Sequence, residues 1–263
     1  MRRKPSSRRD IVAIIIGLLV SVGAYHAYAA SNGADDFHKL THNFIEADLK
    51  TYPEMATDEG DHRYDSRVTD LTHAAIEARI AATKKWKHRF ENFPPHNLAP
   101  ADEADREWLV AQLDGRLLDD ETLRSYERAP DAYLPVDGLH SLIKRNFAPL
   151  EDRMRSATAR EIASLHNLAL ARVNLKAQRT APVVVEIVLS EMPGVISFLK
   201  KDLIEAFATI PASTSKKAFL DANAKLRYLA PKHIELRIQL RVLDTPDHFI
   251  ERSFKSLQDV GDK

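Results

Sequence analysis

Apolar residues recur every three to four positions in segment after segment of this chain, the spacing that lines one face of an α-helix. Phe37, Leu40, Phe44, Ala47 and Leu49 follow a helix start at Asp35, and Pro53 opens a continuation toward Gly60. Thr72 caps a helix through about Asn92 that carries Ile76, Ile80, Trp86, Phe90 and Phe93. After Pro100, acids at the first turn of a helix precede Trp108, Leu109, Leu113, Leu117 and Leu118, with Asp119, Asp120 and Glu121 expected in solvent. Arg128 to Gly138 reads as an extended linker that buries Tyr133 and Leu134. Beyond it come a short stripe (Leu139, Leu142, Ile143, Phe147) and a longer one (Leu150, Met154, Ile162, Leu165, Leu168, Val173) in one helix or two, with His166 as a packing residue. The run from Pro182 to Leu189 is β-branched, which favours a strand. Its apolar pattern nevertheless continues at helical spacing to Phe207, and no other segment offers a partner strand, so it is read as a helix bent at Pro193-Gly194. Ser213 starts a helix with Phe219, Leu220 and Leu226, and Pro231 and Pro246 bracket a last one. The expected fold is all-α, an irregular bundle of about eight helices with an N-terminal apolar signal or anchor helix.

The first 29 residues account for that last element. Arg2, Arg3, Lys4, Arg8 and Arg9 form a basic head, Ile11 to Ala24 an apolar core, and Ala27-Tyr28-Ala29 a small-x-small cleavage site. Arg8-Arg9 also resembles a twin-arginine export motif. Uncleaved, residues 11–29 approach the length of a bilayer span and would anchor the chain in the membrane. Both readings put residues 30–263 outside the cytoplasm, in the periplasm or facing it from the inner membrane. Without the first 29 residues the chain holds four more acidic than basic side chains. That balance argues against nucleic acid as a partner, which needs a clustered basic face. Cysteine is absent, which removes disulfides, thiolate metal ligands and cysteine nucleophiles.

One stretch asks for more than helix packing. Tyr52 to Asp65 reads YPEMATDEGDHRYD and crowds acids around His62, Arg63 and Tyr64 after a helix-stopping Gly60. Pro53, Ala56, Thr57, Gly60, Asp61, His62, Arg63, Tyr64 and Asp65, followed by Asp70 and Leu71, resemble the N-terminal signature of the bacterial family called domain of unknown function 885 (DUF885). Tyr133, Gly138, Leu139, Leu142, Arg145, Phe147, Ala148, Pro149 and Arg153 resemble its second block, and Ala171, Arg172, Asn174 and Leu175 its third. The likeness covers about residues 37–220.

The resemblance implies a helical, exported, zinc-metallopeptidase-like protein about twice this length, with its metal site on a C-terminal H-E-x-x-P-G-H-H motif. That motif is missing here, and His233-Ile234-Glu235 has no second His at ligand spacing. Zinc is thus implied for full-length relatives and not for this chain. The expected function is that of a non-catalytic N-terminal helical portion, whose partner is a C-terminal catalytic half. The alternatives are a periplasmic binding or scaffold module that takes a peptide, and a gene remnant without activity.

The residues leave one metal alternative, because His38, His42 and Glu46 stand four apart on one helix face, where two imidazoles and a carboxylate could meet a zinc ion. The acidic turn could hold a hard cation through Asp58, Asp61 and Asp65, although its spacing differs from the DxDxDG calcium loop. As a structural corner, it would pair Arg63 with those carboxylates, pack Tyr64 and order the next helix. No Gly-x-Ser-x-Gly elbow or glycine-rich phosphate loop occurs.

Overall fold

A computed structural model of the protein describes residues 34–94 and 98–242, with side chains for all of these except 177 and 232–242. The expected signal or anchor over residues 1–29, the side chains of His233 and Glu235, and the tail lie outside that description. Eight helices and no strand are found among the described residues. In chain order they are α1 (34–51), α2 (Pro53–Asp58), α3 (His73–Glu91), α4 (Pro100–Leu117), α5 (Val136–Lys144), α6 (Leu150–Asn174), α7 (Pro182–Ala206) and α8 (Thr214–Val242).

The described residues divide into two compact units, one within 34–46 and 83–116, the other within 47–82 and 117–242. In the first unit, Phe37, Leu40 and Phe44 of α1 meet Phe90 of α3 and Leu109 and Leu113 of α4. The Phe44 and Phe90 rings meet edge to face at 5.6 Å, a favoured aromatic geometry. Leu109 and Leu113, one turn apart, set the inward direction of α4, so the neighbouring Trp108 points out and is 61% exposed. The expected apolar stripe through Trp108 is therefore narrower than the sequence suggests.

The second unit is built around α6, one continuous helix of 25 residues. Met154, Ala157 and Leu168 of α6 pack with Leu139 and Leu142 of α5, with Val188, Met192, Val195, Phe198, Leu199 and Leu203 of α7, and with Phe219 and Leu226 of α8. Ile162 and Val173, expected on the core stripe, are exposed at 57% and 65%. His166 is exposed as well. Their places inside are taken by polar residues, Arg160, Glu161, Ser164 and Asn167. Leu118 and Leu220 likewise turn toward solvent.

The β-branched run at Pro182 is helical, with the Pro at its first turn where its missing N–H costs nothing. The helix passes through Pro193, and its irregularity falls later, in a π-helical turn at Phe198–Asp202. By length and apolarity α7 is the described helix able to cross a membrane, but it lies inside the chain rather than at its N-terminus, and its buried face belongs to the main core. Pro231, expected to bracket a separate last helix, lies within α8. The stretch Arg128–Gly138, expected as an extended linker, holds a short 3-10 turn (Pro130–Tyr133) and the start of α5 at Val136, and it buries Tyr133, whose hydroxyl donates to Tyr126 O at 2.6 Å. Burial pushes that phenol up to about 12. Asp120 is not solvated: it pairs with Arg79 at 3.2 Å with both side chains largely buried.

Candidate functional site

The stretch from Pro53 to Leu71 forms a corner within the second unit. Pro53 starts α2, and the helix ends in two reverse bonds, from Gly60 N to Thr57 O at 3.2 Å and from Asp61 N to Ala56 O at 2.8 Å. Gly60 holds φ +91, a left-handed conformation that closes a helix this way and that side chains with a Cβ rarely adopt. Asp61 then caps the 3-10 turn His62–Tyr64 by accepting from Arg63 N. The Arg63 guanidinium binds the same carboxylate, at 2.6 Å from Nη2, and holds it below the usual carboxylate range. Tyr64 lies under the guanidinium groups of Arg63 and Arg67.

Behind this turn sits Arg160 of α6, 1% exposed. Its Nε donates to Arg67 O at 2.9 Å, its Nη1 to Gly138 O, and its Nη2 to Pro53 O at 3.1 Å and to Thr57 Oγ1 at 2.6 Å. Every direct acceptor is a neutral oxygen. Desolvation accordingly pulls the guanidinium below its ordinary value, while Glu54, Asp65 and Asp58 oppose the shift from further off. The Thr57 hydroxyl passes the connection on, donating to Asp65 Oδ1 at 2.6 Å. The other Asp65 oxygen lies 3.1 Å from His62 Nδ1, so the imidazole donates there, and its ring stacks on Phe147 at 3.6 Å between centroids. Arg160, Thr57, Asp65, His62 and Phe147 thus form one connected series.

The extended residues 67–71 depend on the same helix. Arg160, Asn167 and Asn174 are spaced seven apart, two turns of α6, and so share one face. They donate to Arg67 O, Thr69 O and Leu71 O respectively, at 2.9, 2.9 and 2.8 Å. Alternate carbonyls of an extended segment point to one side, so a helix face of side-chain donors can satisfy them as a neighbouring strand would. Glu54 takes the amide and hydroxyl of Thr69 at 3.0 and 2.7 Å. Gly138 leaves room for this arrangement, since a Cβ there would stand 2.9 Å from Glu54 Cγ.

The other resembling blocks close the corner. Arg153, itself buried, donates to Leu142 O, Arg145 O and Ala148 O at 3.3, 3.0 and 3.2 Å, collecting carbonyls left open where α5 ends. Ser141 Oγ donates to Asp58 Oδ1 at 2.6 Å. Ala171 and Leu175 pack on Tyr133 and Leu71.

The structure therefore gathers Pro53, Thr57, Gly60, Asp61, His62, Arg63, Tyr64 and Asp65 into one corner and binds them mainly to each other and to α6. His38 Nε2 of the proposed zinc set is bonded to Asp102 at 2.9 Å, and His42 is exposed. No group of three or more His, Asp or Glu is placed to hold a metal ion among the described residues. Arg160, Glu161 and Asn223 are the residues that sequence reasoning missed. A signal existed: Arg153, Ala157, Arg160, Ser164, Asn167, Ala171 and Asn174 follow helical spacing, which puts Arg160 on an inward face.

The family model described as a bacterial protein of unknown function, DUF885, matches residues 53–240. The chain belongs to the DUF885 family. The match runs past residue 220, where the likeness read from the sequence ended. Among solved structures the chain is similar to one described as a candidate lipoprotein of unknown function from Shewanella oneidensis. The TM-score is 0.71 at 22% identity, over 79% of this chain and 38% of that one, so this DUF885 chain shares its fold and spans less than two fifths of its length. No curated protein matches.

Proposed function

We propose that this DUF885 chain is a non-catalytic helical supporting portion of an exported protein, and that its signature builds a rigid corner instead of a reaction site. The observation that carries this reading is the use of the signature's polar groups. Thr57 and Asp65 are bonded internally, Asp61 is held by Arg63, and the buried guanidinium of Arg160 is spent on four protein oxygens. Groups so engaged are poorly placed to bind substrate or move protons. Export is supported by the apolar N-terminal segment of the sequence and by the description of the Shewanella protein as a candidate lipoprotein.

The zinc chemistry implied by the resemblance does not fit the residues present. A peptidase centre needs three protein ligands and a water-activating carboxylate, and neither the sequence motif nor a cluster of described side chains supplies them. The chemistry of a full-length relative would belong to a C-terminal half that uses this portion as its support. The purified full chain, assayed on mixed peptides with and without zinc, is expected to show no zinc-dependent cleavage. Cleavage that zinc restores after chelation would overturn the proposal. A scaffold module that works alone and takes a peptide is the second reading, favoured by the internal satisfaction of the corner. It predicts a monodisperse gel-filtration peak, whereas a portion that requires its other half aggregates.

A further inference from the structure

A second polar cluster lies inside the same unit, beginning one residue on from Arg160 in α6. Glu161 of α6 and Asn223 of α8 are both 0% exposed. Asn223 Nδ2 donates to Glu161 Oε1 at 2.9 Å and to Leu199 O at 3.0 Å, and Leu199 lies in the π-helical turn of α7. Three elements therefore meet through one amide. The cluster is incompletely matched: Glu161 Oε2, Asn223 Oδ1 and Arg227 Nε are buried without a partner. Two of these atoms are acceptors when Glu161 is ionised, against the one donor at Arg227 Nε, and a proton on the carboxyl supplies a second donor.

We propose that Glu161 is a proton-operated latch: with its proton bound it holds α8 and the π-helical turn on α6, and loss of the proton loosens α8. An unpaired carboxylate in a dry interior is costly, whereas the neutral acid is tolerated there. Burial pushes Glu161 up to about 8, the bond from Asn223 and the charge of Arg227 lowering it only in part. Arg227, four residues beyond Asn223 on α8, is the charged group that acts on it. On the other elements around α6, Asp137, His140 and Lys144 of α5 and Lys200, Lys201 and Asp202 of the π turn are exposed, and Glu127 is paired with Arg124 and Arg179.

The sign follows from which state keeps the proton. Between the ordinary 4.5 and about 8 the folded chain holds it and the unfolded chain does not. Stability from this group is therefore complete below 4.5, falls as pH rises to about 8, and changes no further above that. In an exported protein such a group senses the pH of its surroundings.

Hydrogen exchange of the full chain, corrected for intrinsic rates, tests the latch against Glu161→Gln, which keeps the shape and cannot ionise. Protection of the α8 amides in the wild type is expected to fall by up to about tenfold per pH unit between those limits, and to stay level in Glu161→Gln. Parallel pH profiles in the two proteins would overturn the proposal. Infrared difference spectra of the wild type cover the case of a variant that does not fold. A buried protonated-carboxyl band present at about pH 6 and lost by about pH 9 supports the latch, and its absence at about pH 6 refutes it.

Discussion

Replacing Arg160 by Met removes the guanidinium while keeping an unbranched, helix-compatible side chain. Arg67 O and Thr57 Oγ1 then lose their donor from α6, while Pro53 O and Gly138 O keep the backbone donors one turn on in α2 and α5. A buried acceptor left without a partner costs about 1–3 kcal/mol. Two of them would total roughly 2–6 kcal/mol, offset in part by relief of the desolvation that burying a guanidinium entails, and net losses on breaking buried charged networks run to about 3–5 kcal/mol. Stability changes in chains of this size move the midpoint by about 2–4 °C per kcal/mol, so Arg160→Met is expected to lower it by about 10 °C. Thermal unfolding of the full chain, followed by far-UV circular dichroism, reads the shift. A drop of less than about 2 °C would refute the view that Arg160 holds the corner to α6.

Gly60→Ala places a Cβ at φ +91 and is expected to cost about 1–2 kcal/mol in denaturant unfolding although nothing crowds the position. Gly138→Ala should cost about 1–3 kcal/mol for a different reason, the 2.9 Å approach to Glu54 Cγ, and Glu54→Ala in the same chain should recover the part due to crowding. His62→Ala removes a stacked ring and a bond to Asp65 at a partly exposed place, and a loss near 1 kcal/mol is expected by the same measurement.

The helices and most of their buried residues were legible because amphipathic spacing reports burial directly: Phe37, Phe90, Leu113, Leu142, Met154 and Phe219 all lie inside. The β-branched start of α7 was legible too, since its pattern outlasted its local preference. Spacing failed where polar residues displace apolar ones from a helix face. On α6 the inward positions go to Arg160, Glu161, Ser164 and Asn167, and Ile162 and Val173 turn outward. A pattern that scores only apolar residues takes such a face for solvent. The corner was visible as an unusual string around Gly60, and the pairing of Arg63 with Asp61 followed from its charges. The partner of Thr57 on α6 was not, because Arg160 lies 103 residues from Thr57 and nothing local announces it.

The claim that the signature is structural rests on coupling between Thr57 and Arg160, and a double-mutant cycle measures it. Thr57→Val, Arg160→Met and the double variant, unfolded in denaturant as full chains, give the interaction energy directly. A buried charge-assisted bond at 2.6 Å predicts a coupling of about 1–3 kcal/mol. Additive losses, with coupling within about 0.3 kcal/mol of zero, would contradict it.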